Sequence, residues 1–284
     1  MEPFITLDKV YFTYDSSPAG NFILSDFSLD IYKGEFLSVV GRNGSGKSTL
    51  SKLLNSLYLP TSGEIIVDGI NTKEDSRLLE IRKKVGLVLQ DPDNQMVSSI
   101  VEDDTAFGCE NLGLSPEMIR QRVDDSLRAV GMYEERNTLV EKLSGGQKQR
   151  AAIAGIIAMQ PECIVLDEPT AMLDPQGRKE VMDTLIKLNK NLGITVILIT
   201  HYMEEAALSD RIAVLDEGKV IITGKPRDVF SNAELLYRHR LSLPQVTELS
   251  HRLSGCGYDM PYAVLSVDEC ADAIIRLFSK GDPL

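Results

Sequence analysis

The chain has 284 residues, which exceeds a usual single domain of about 100 to 200 and predicts one large domain with an appendage. Its 30 Lys and Arg against 42 Asp and Glu give a formal charge of −12, spread along the chain. This argues against nucleic-acid binding, because phosphate backbones are usually met by basic patches. The four cysteines are scattered without a Cys-x-x-Cys, so neither a metal site nor a disulfide framework is indicated.

No membrane-spanning segment is predicted. The longest largely apolar run, residues 151–159, is far shorter than the roughly 20 residues that cross a bilayer. The opening Met1-Glu2-Pro3 lacks the basic and apolar regions of a signal peptide. We therefore expect a chain that serves any membrane process from the cytosolic side.

The first part of the chain predicts antiparallel strands and then a buried strand. Short alternating runs over residues 4–31, broken by a loop at 15–20, are typical of antiparallel strands. Residues 36–40 predict a buried strand, and a helix over 48–57 follows a glycine-rich loop. Two further strands and a charged helix between them are predicted at 65–67, 85–89 and 74–84.

The middle of the chain predicts a helical insertion, about residues 91–149, in which Ser115 caps a helix from Pro116 to about 130. Strand character returns at 163–166 and 194–200 around a helix at 175–192, an alternation typical of a parallel sheet covered by helices. A hairpin follows at 212–222. The expected fold class is α/β, with a domain at 1–230 and a helical appendage at 231–284.

A glycine-rich loop between the buried strand and the helix matches the pattern G-x-x-x-x-G-K-[ST]. Its glycines let backbone N–H groups turn towards phosphates, and the helix amino terminus adds positive charge. Lys47 is suited to reach the β and γ phosphates, and Ser48 to ligate Mg²⁺. Alone, the loop indicates only a nucleoside triphosphate. The candidate residues are Gly41, Asn43, Gly44, Ser45, Gly46, Lys47, Ser48 and Thr49.

Two adjacent carboxylates, Asp167 and Glu168, end the apolar strand at 163–166. The carboxyl ends of parallel strands form the edge where open sheets bind ligands. Asp167 is suited to hold Mg²⁺ through water, and Glu168 to polarise an attacking water as general base. The alternative is a solvated pair of carboxylates at a strand end, but the phosphate loop favours the functional interpretation.

A short motif opens the small-residue helix over 144–159, and its residues are Leu143, Ser144, Gly145, Gly146 and Gln147. The order of phosphate loop, this signature and the Asp-Glu strand strongly resembles the ATP-binding cassette (ABC) family. The glycines and the helix amino terminus make a second anion site. The resemblance implies that the signature of one subunit closes on ATP held by another, so that ATP and Mg²⁺ lie at a dimer interface.

Three further positions match the family's pattern. The resemblance implies that Gln90 senses Mg²⁺ and the attacking water, that Asp174 acts across the dimer, and that His201 is the switch histidine contacting the γ phosphate. Alone, a single Gln, Asp or His is more often structural. Ala171 stands where a serine often begins the cross-dimer loop, which puts a hydroxyl contact there in doubt.

One aromatic near the amino terminus is implied to stack on adenine, which gives modest base preference because every base has a π-face. Tyr14 matches that position best. Tyr11 and Phe12 compete for it, and an aromatic that simply packs in the core is the alternative.

A finer resemblance is to the first of the two paired ATPases of energy-coupling factor transporters, carried by residues 90–95, 168–175 and 244–249. It implies a second ABC ATPase subunit, a transmembrane coupling protein, and small membrane proteins that capture vitamins or metal ions. The ATPase would then lie peripherally on the cytoplasmic face of the membrane. Asp91, where Asn is more common, is a mismatch, and a homodimer stays open.

The leading hypothesis is therefore a transport ATPase. The alternative is a soluble ABC ATPase acting on nucleic acid or ribosomes, whose basic surface, tandem cassettes or coiled-coil arms are absent from this sequence. A regulator with little turnover is a third possibility, which the presence of Glu168 disfavours.

The carboxyl-terminal appendage carries apolar residues at helical spacing in two places. Such faces serve either as a subunit contact or as packing on the chain's own core. The residues are Val246, Leu249 and Leu253, then Ala271, Ile274, Ile275 and Phe278.

Overall fold

The computed structural model describes residues 2–14 and 22–279, and within these ranges the expected α/β class is confirmed. The predicted loop at 15–20 lies outside the described residues. The strands are β1 (Pro3–Phe12), β2 (Leu24–Tyr32), β3 (Phe36–Gly41), β4 (Ser62–Val67), β5 (Ile70–Asn71), β6 (Val85–Val88), β7 (Cys163–Asp167), β8 (Thr195–Ile199), β9 (Arg211–Asp216) and β10 (Lys219–Gly224). The helices are α1 (Lys47–Leu54), α2 (Leu78–Lys84), α3 (Val101–Asn111), α4 (Pro116–Ala129), α5 (Gly145–Ala158), α6 (Pro175–Leu192), α7 (Met203–Ala206), α8 (Pro226–Phe230), α9 (Ala233–Arg238), α10 (Gln245–Gly255) and α11 (Val267–Ser279).

Two sheets share one apolar core. The smaller sheet has the order β2-β1-β4-β5, and its pairs are antiparallel, as predicted for the first strands. The larger sheet has the order β10-β9-β3-β8-β7-β6, in which all pairs except the β9–β10 hairpin are parallel. Side chains such as Leu7 and Phe27 of the small sheet join Val165 and Ile197 of the large one in a single buried cluster. This core therefore sits between the sheets, with α1 inside it, and a second buried cluster packs α5 and α6 against the large sheet.

The predicted helical insertion is confirmed, with α3, α4 and the start of α5 in residues 91–149. Within the described part of that stretch, the only β-type pairing is an isolated bridge between Ile100 and Leu139. Ser115 caps α4 as predicted, because its side chain accepts a hydrogen bond from the Met118 backbone N–H, and Pro116 occupies the first turn.

Two helix boundaries differ from the prediction. Helix α1 ends at Leu54 rather than at residue 57, because Ser56 adopts a left-handed φ of 55° that ends the helical hydrogen bonding. The charged helix begins later than predicted, since Asp75–Arg77 forms a 3₁₀ turn that precedes α2.

The chain after residue 230 divides into a part that packs on the large sheet and a part with its own small core. Leu236, Leu241 and Leu243 pack with Val40 and Val214 of the large sheet. A separate cluster between α10 and α11 is formed by Met260, Val264, Cys270, Ala273 and their partly buried neighbours Val246, Leu253 and Ile274. The domain boundary near residue 230 stays a prediction. Among the described helices, none is long and apolar enough to cross a membrane.

Candidate nucleotide site

Three neighbouring strands of the large sheet end at one edge, and a predicted site residue follows each end. In their register, Ile199 at the end of β8 lies opposite both Val39 of β3 and Asp167 of β7. The phosphate loop follows β3, Glu168 follows β7 and His201 comes two residues after β8. Parallel pairing thus brings groups that are distant in sequence to the edge where open sheets bind ligands.

The phosphate loop is shaped as a cradle. Gly44 and Gly46 have φ values of 82° and 99°, which L-residues with a side chain rarely adopt. A Cβ atom at Gly41 would lie 2.4 Å from the carbonyl oxygen of Leu215, so only glycine fits at this position. The buried Ser45 hydroxyl has no hydrogen-bond partner among the described residues. This orphaned donor and the free N–H groups of the first turn of α1 fit a bound phosphate.

The Lys47 side chain lies inside the loop, with only 5% of its surface exposed. Its Nζ donates to the carbonyl oxygens of Gly41 at 2.8 Å and Arg42 at 3.1 Å, and stands 3.9 Å from Glu168 Oε1. Burial lowers the pKa of Lys47, whereas the carboxylates of Glu168 and Asp167 act in the opposite direction. Phosphate oxygens are stronger acceptors for this ammonium group than the two carbonyl oxygens and could replace them.

Asp167 is held by two hydroxyl groups on successive turns of α1. Ser48 Oγ donates to Asp167 Oδ1 at 3.0 Å and Ser51 Oγ to Oδ2 at 3.4 Å. Burial raises the pKa of Asp167, and the bond from Ser48 acts against that increase. The motif pointed to Ser48, but Ser51 was missed. It lies one helical turn further on, and that spacing was the available signal.

Glu168 lies between Lys47 and the predicted switch histidine. Its Oε2 is 3.3 Å from His201 Nδ1, and its backbone has a left-handed φ of 49°. The Glu168 N–H donates to the Ile199 carbonyl at 2.9 Å, which fixes this strained turn against β8. The Glu168 side chain is only 16% exposed.

Gln90 is exposed just beyond β6, and the loop after it is organised by neighbouring side chains. Gln95 Oε1 accepts from the Leu89 N–H at 2.9 Å, and its Nε2 donates to the Leu87 carbonyl at 3.2 Å. Asp93 pairs with Lys148 of α5 at 2.7 Å. The loop that carries Gln90 is therefore tied to the helix that the signature opens. The resemblance implied that Gln90 links the core to the helical insertion, but sequence reasoning did not identify the ion pair between Asp93 and Lys148.

Among the candidate aromatics, the structure brings Tyr14 to the phosphate loop. Its hydroxyl lies 3.0 Å from Thr49 Oγ1, and the residue is 57% exposed. Phe12 is buried and stacks on Tyr58 at 5.5 Å, while Tyr11 packs edge-on against Phe22. An exposed ring beside the loop is what base stacking requires.

The signature forms a complete helix cap. Ser144 Oγ accepts from the Gln147 N–H at 3.3 Å, and the Ser144 N–H donates to Gln147 Oε1 at 3.0 Å. A Cβ atom at Gly146 would lie 3.0 Å from Gly177 Cα, and one at Gly145 would lie 3.1 Å from Leu173 Cδ2. The amino termini of α5 and α6 therefore touch.

Asp174 caps its own helix in this structure, because its Oδ1 accepts from the Gly177 N–H at 3.0 Å, and the residue is exposed. This bond gives Asp174 a structural role within the chain. It leaves the second carboxylate oxygen for a contact elsewhere, and the role across a dimer stays a prediction.

A groove of about 370 Å³ separates α2 and β6 from the helical insertion. Its apolar side chains come from both parts, and two basic residues stand on one wall. The lining includes Leu79, Leu87, Met96, Phe107 and Ile156, with Arg82 and Lys83. The groove is adjacent to the loop that carries Gln90, since Leu87 and Gln95 line it.

The sequence matches the ABC transporter family over residues 24–171. It is 52% identical to an energy-coupling factor transporter ATP-binding protein, EcfA1, of Clostridium novyi, over 97% of this chain and 99% of that protein. It is 50% identical to the EcfA1 of Clostridioides difficile, over 98% of this chain and 100% of that protein.

Two solved structures of ABC proteins are similar to this chain in fold and sequence. The cbiO1 protein of Clostridium perfringens, described as part of the ABC transporter complex cbiONQ, is 37% identical with a TM-score of 0.76, over 88% of this chain and 99% of that one. The dimeric ATP-binding cassette MJ0796, bound to ADP and Pi, is 33% identical with a TM-score of 0.69, over 78% of this chain and 99% of that one.

Proposed function

The chain belongs to the ABC transporter family and, within it, to the energy-coupling factor ATP-binding proteins, and from that membership we propose that it hydrolyses ATP to drive an importer of this type. The observation that carries the proposal is the buried Lys47 ammonium, which faces the phosphate loop on one side and Glu168 on the other. The hydrolysis would couple to uptake of a vitamin or metal ion by membrane partners. The fold and charge give no support to the alternative, a soluble ABC ATPase acting on nucleic acid or ribosomes.

Binding begins at the phosphate loop. Backbone N–H groups of the loop and of the first turn of α1 would cradle the phosphates, and Lys47 would leave the Gly41 and Arg42 carbonyls for the β and γ oxygens. Tyr14 would stack on the base. Phosphoryl transfer requires chiefly positioning and charge stabilisation, which this set of donors supplies.

Mg²⁺ fits the same site. Ser48 and Asp167 offer hard oxygen atoms that lie 3.0 Å apart, and Gln90 follows the neighbouring edge strand. Among the described residues there is no cluster of three or more His, Cys, Asp or Glu, so most other ligands would be water and phosphate oxygens, as Mg²⁺ commonly has. The ion would neutralise charge on the transferred phosphoryl group.

Glu168 is the proposed general base. Its carboxylate would accept a proton from the attacking water, while His201 beside it would contact the γ phosphate. The signature residues Ser144, Gly145, Gly146 and Gln147 would close on the same phosphate from a second subunit, with Asp174 beside them.

The membrane partner would dock in the groove between α2 and the helical insertion. Its apolar lining suits a short amphipathic helix of a transmembrane coupling protein, and Arg82 and Lys83 suit acidic or carbonyl groups at the helix end. Because the Gln90 loop borders the groove, nucleotide-dependent movement would pass to the partner there. The chain would thus lie peripherally on the cytoplasmic face of the membrane, with a second ATPase subunit.

We expect Phe107→Glu to detach the membrane partner, because it places a charge in the apolar groove. The measurement is affinity purification of the tagged chain from native membranes in mild detergent, with identification of co-purifying proteins. Wild type should recover a second ABC ATPase, a polytopic protein and a small membrane protein. The control Leu192→Glu, at an exposed leucine at the end of α6, should behave as wild type. Recovery of ribosomes or DNA instead would contradict the transport proposal.

Glu168→Gln should still bind ATP but lose turnover by at least about 100-fold, since general-base catalysis contributes about that much. The bound ATP should then hold a closed dimer that elutes as such in the presence of Mg²⁺. Steady-state phosphate release and light scattering measure the two effects, with the exposed Glu234→Gln as matched control. Near-normal turnover would refute the role of Glu168 as base.

Comparing Ser48→Ala with Ser51→Ala tests whether Ser48 binds the metal ion directly. Both hydroxyl groups donate to Asp167, but only Ser48 occupies the motif position. We expect Ser48→Ala to raise the Mg²⁺ concentration for half-maximal ATPase at least about tenfold. Ser51→Ala should change it by less than about threefold, because the bond from Ser51 to Asp167 is long, 3.4 Å, and the shorter bond of Ser51, 2.9 Å, goes to the Ser48 carbonyl. A Mg²⁺ titration of ATPase activity decides this. Equal effects would show that Ser48 acts through Asp167 alone.

The appendage is proposed to contact the second ATPase. In α11, Ala271, Ile275 and Phe278 form an exposed apolar stripe with Val267, whereas Ile274 packs inside. We expect Ile275→Glu with Phe278→Glu, or removal of the chain after Leu243, to weaken dimerisation and to leave ATP binding by the monomer intact. Cutting after Phe230 would expose the apolar cluster that Leu236, Leu241 and Leu243 form with the large sheet, so the later cut is the cleaner one. Light scattering checks this, and an unchanged dimer would contradict it.

A further inference from the structure

A buried acid joins the loop that carries Glu168 to the loop that carries His201. We propose that Glu205 is a positioning residue for ATP hydrolysis: its carboxylate fixes these two loops relative to each other. The inference rests on the proposed ATPase function. Glu205 lies on the short helix α7, and only 3% of its surface is exposed.

Each oxygen of the carboxylate accepts a hydrogen bond from a different loop. Thr170 Oγ1, two residues after Glu168, donates to Glu205 Oε1 at 2.6 Å. Thr200 Oγ1, directly before His201, donates to Glu205 Oε2 at 2.6 Å. Bonds from hydroxyl groups to a carboxylate at this distance are among the stronger ones in proteins. The acid therefore works as a two-armed clamp between the ends of β7 and β8.

Both threonines are also hydrogen-bonded to the backbone of the turn that follows them. Thr170 and Thr200 are 0% and 1% exposed. The Thr170 carbonyl accepts from the Leu173 N–H at 3.1 Å, and Thr200 Oγ1 also accepts from the Tyr202 N–H at 3.0 Å. A change at the carboxylate would therefore move the turns on which Glu168 and His201 stand, although it touches neither residue.

A purely structural requirement would be met more simply by an apolar residue. Burial raises the pKa of Glu205, while its bonds from Thr170 and Thr200 act in the opposite direction. Replacing buried charged groups by well-packed apolar ones is often neutral or stabilising. What an apolar side chain cannot do is accept one bond from each of two loops, and this is the property that the site uses.

A second set of contacts holds the His201 loop through the ring of Tyr202. The Arg178 guanidinium of α6 lies 3.7 Å from the centre of the Tyr202 ring, and that ring packs against His201 at 4.0 Å. The His201 loop is therefore held at the side of Tyr202 by packing and at the side of Thr200 by the carboxylate. The phosphate loop makes its own bonds through Lys47 and does not depend on Glu205. Loosening the clamp should therefore slow hydrolysis without weakening ATP binding.

The test uses isosteric variants of the two threonines, each of which releases one arm of the clamp. The full-length chain is purified with its co-purifying partners. ATPase kcat and KM, the Kd for a fluorescent ATP analogue, and the melting temperature are measured for Thr170→Val, Thr200→Val, their combination, Glu205→Gln and Glu205→Ala. The matched control is Thr184→Val, a buried threonine whose hydroxyl donates to the Glu180 carbonyl at 2.8 Å.

We expect each threonine variant to lower kcat about tenfold with KM and Kd within about twofold of wild type, because small misplacements of catalytic groups cost up to about 100-fold in rate. The combined variant should be no slower than about the slower single one, since releasing either arm already frees the loops. Glu205→Gln, which keeps one acceptor oxygen, should retain more kcat than Glu205→Ala. The control should keep wild-type kcat.

Wild-type kcat in both threonine variants would overturn the inference, as would an equal loss of kcat in Thr184→Val. Parallel losses of kcat, ATP affinity and melting temperature would also overturn it, because they would show a structural role only. If wild type hydrolyses ATP and Glu168→Gln does not, these results leave the proposed function intact. If wild type with its partners shows no hydrolysis, the proposed function fails and this inference fails with it.

Discussion

The parallel pairing of β3, β8 and β7 is the constraint on which the rest of the structure depends. Because Val39, Ile199 and Asp167 lie in register, the phosphate loop, the acidic pair and the histidine turn all begin at one edge. No side chain could correct a slip in this register, since a shift by one residue would turn Asp167 to the opposite face of the sheet. The two sheets and α1 bury the apolar side chains that hold the register in place.

Charged side chains at that edge of the sheet are largely buried. One buried cation and two carboxylates occupy a small volume, and burial shifts the pKa values of Lys47 and Asp167 in opposite directions, each towards the neutral form. The site lowers this cost with carbonyl oxygens for Lys47 and hydroxyl groups for Asp167. A bound phosphate would offer Lys47 stronger acceptors than these carbonyl oxygens, so the burial that lowers the pKa of Lys47 also strengthens its interaction with the nucleotide.

Sequence patterns predicted much of this, and the limits have physical causes. The glycine loop, the acidic pair and the signature are local, so their helices and strand ends follow from neighbouring residues, as the Ser144 cap does. Contacts made by single polar residues across the fold leave no such local pattern. Glu205 stands beside Glu204 in an ordinary helical stretch, and only the packing distinguishes the buried acid from the exposed one. The appendage shows the same limit, because spacing alone cannot separate the inward Ile274 from the outward Ile275.

The left-handed backbone at Glu168 restricts how relatives of this chain can diverge. At a φ of 49°, β-branched side chains clash with the backbone, whereas glycine, asparagine and aspartate are accommodated at lower cost. A lineage that abandons hydrolysis and retains the fold therefore has a narrow set of replacements open to it here. Substitution by valine, isoleucine or threonine would remove the base and deform the turn together, so loss of chemistry by that route carries loss of shape, and selection acts on both at once.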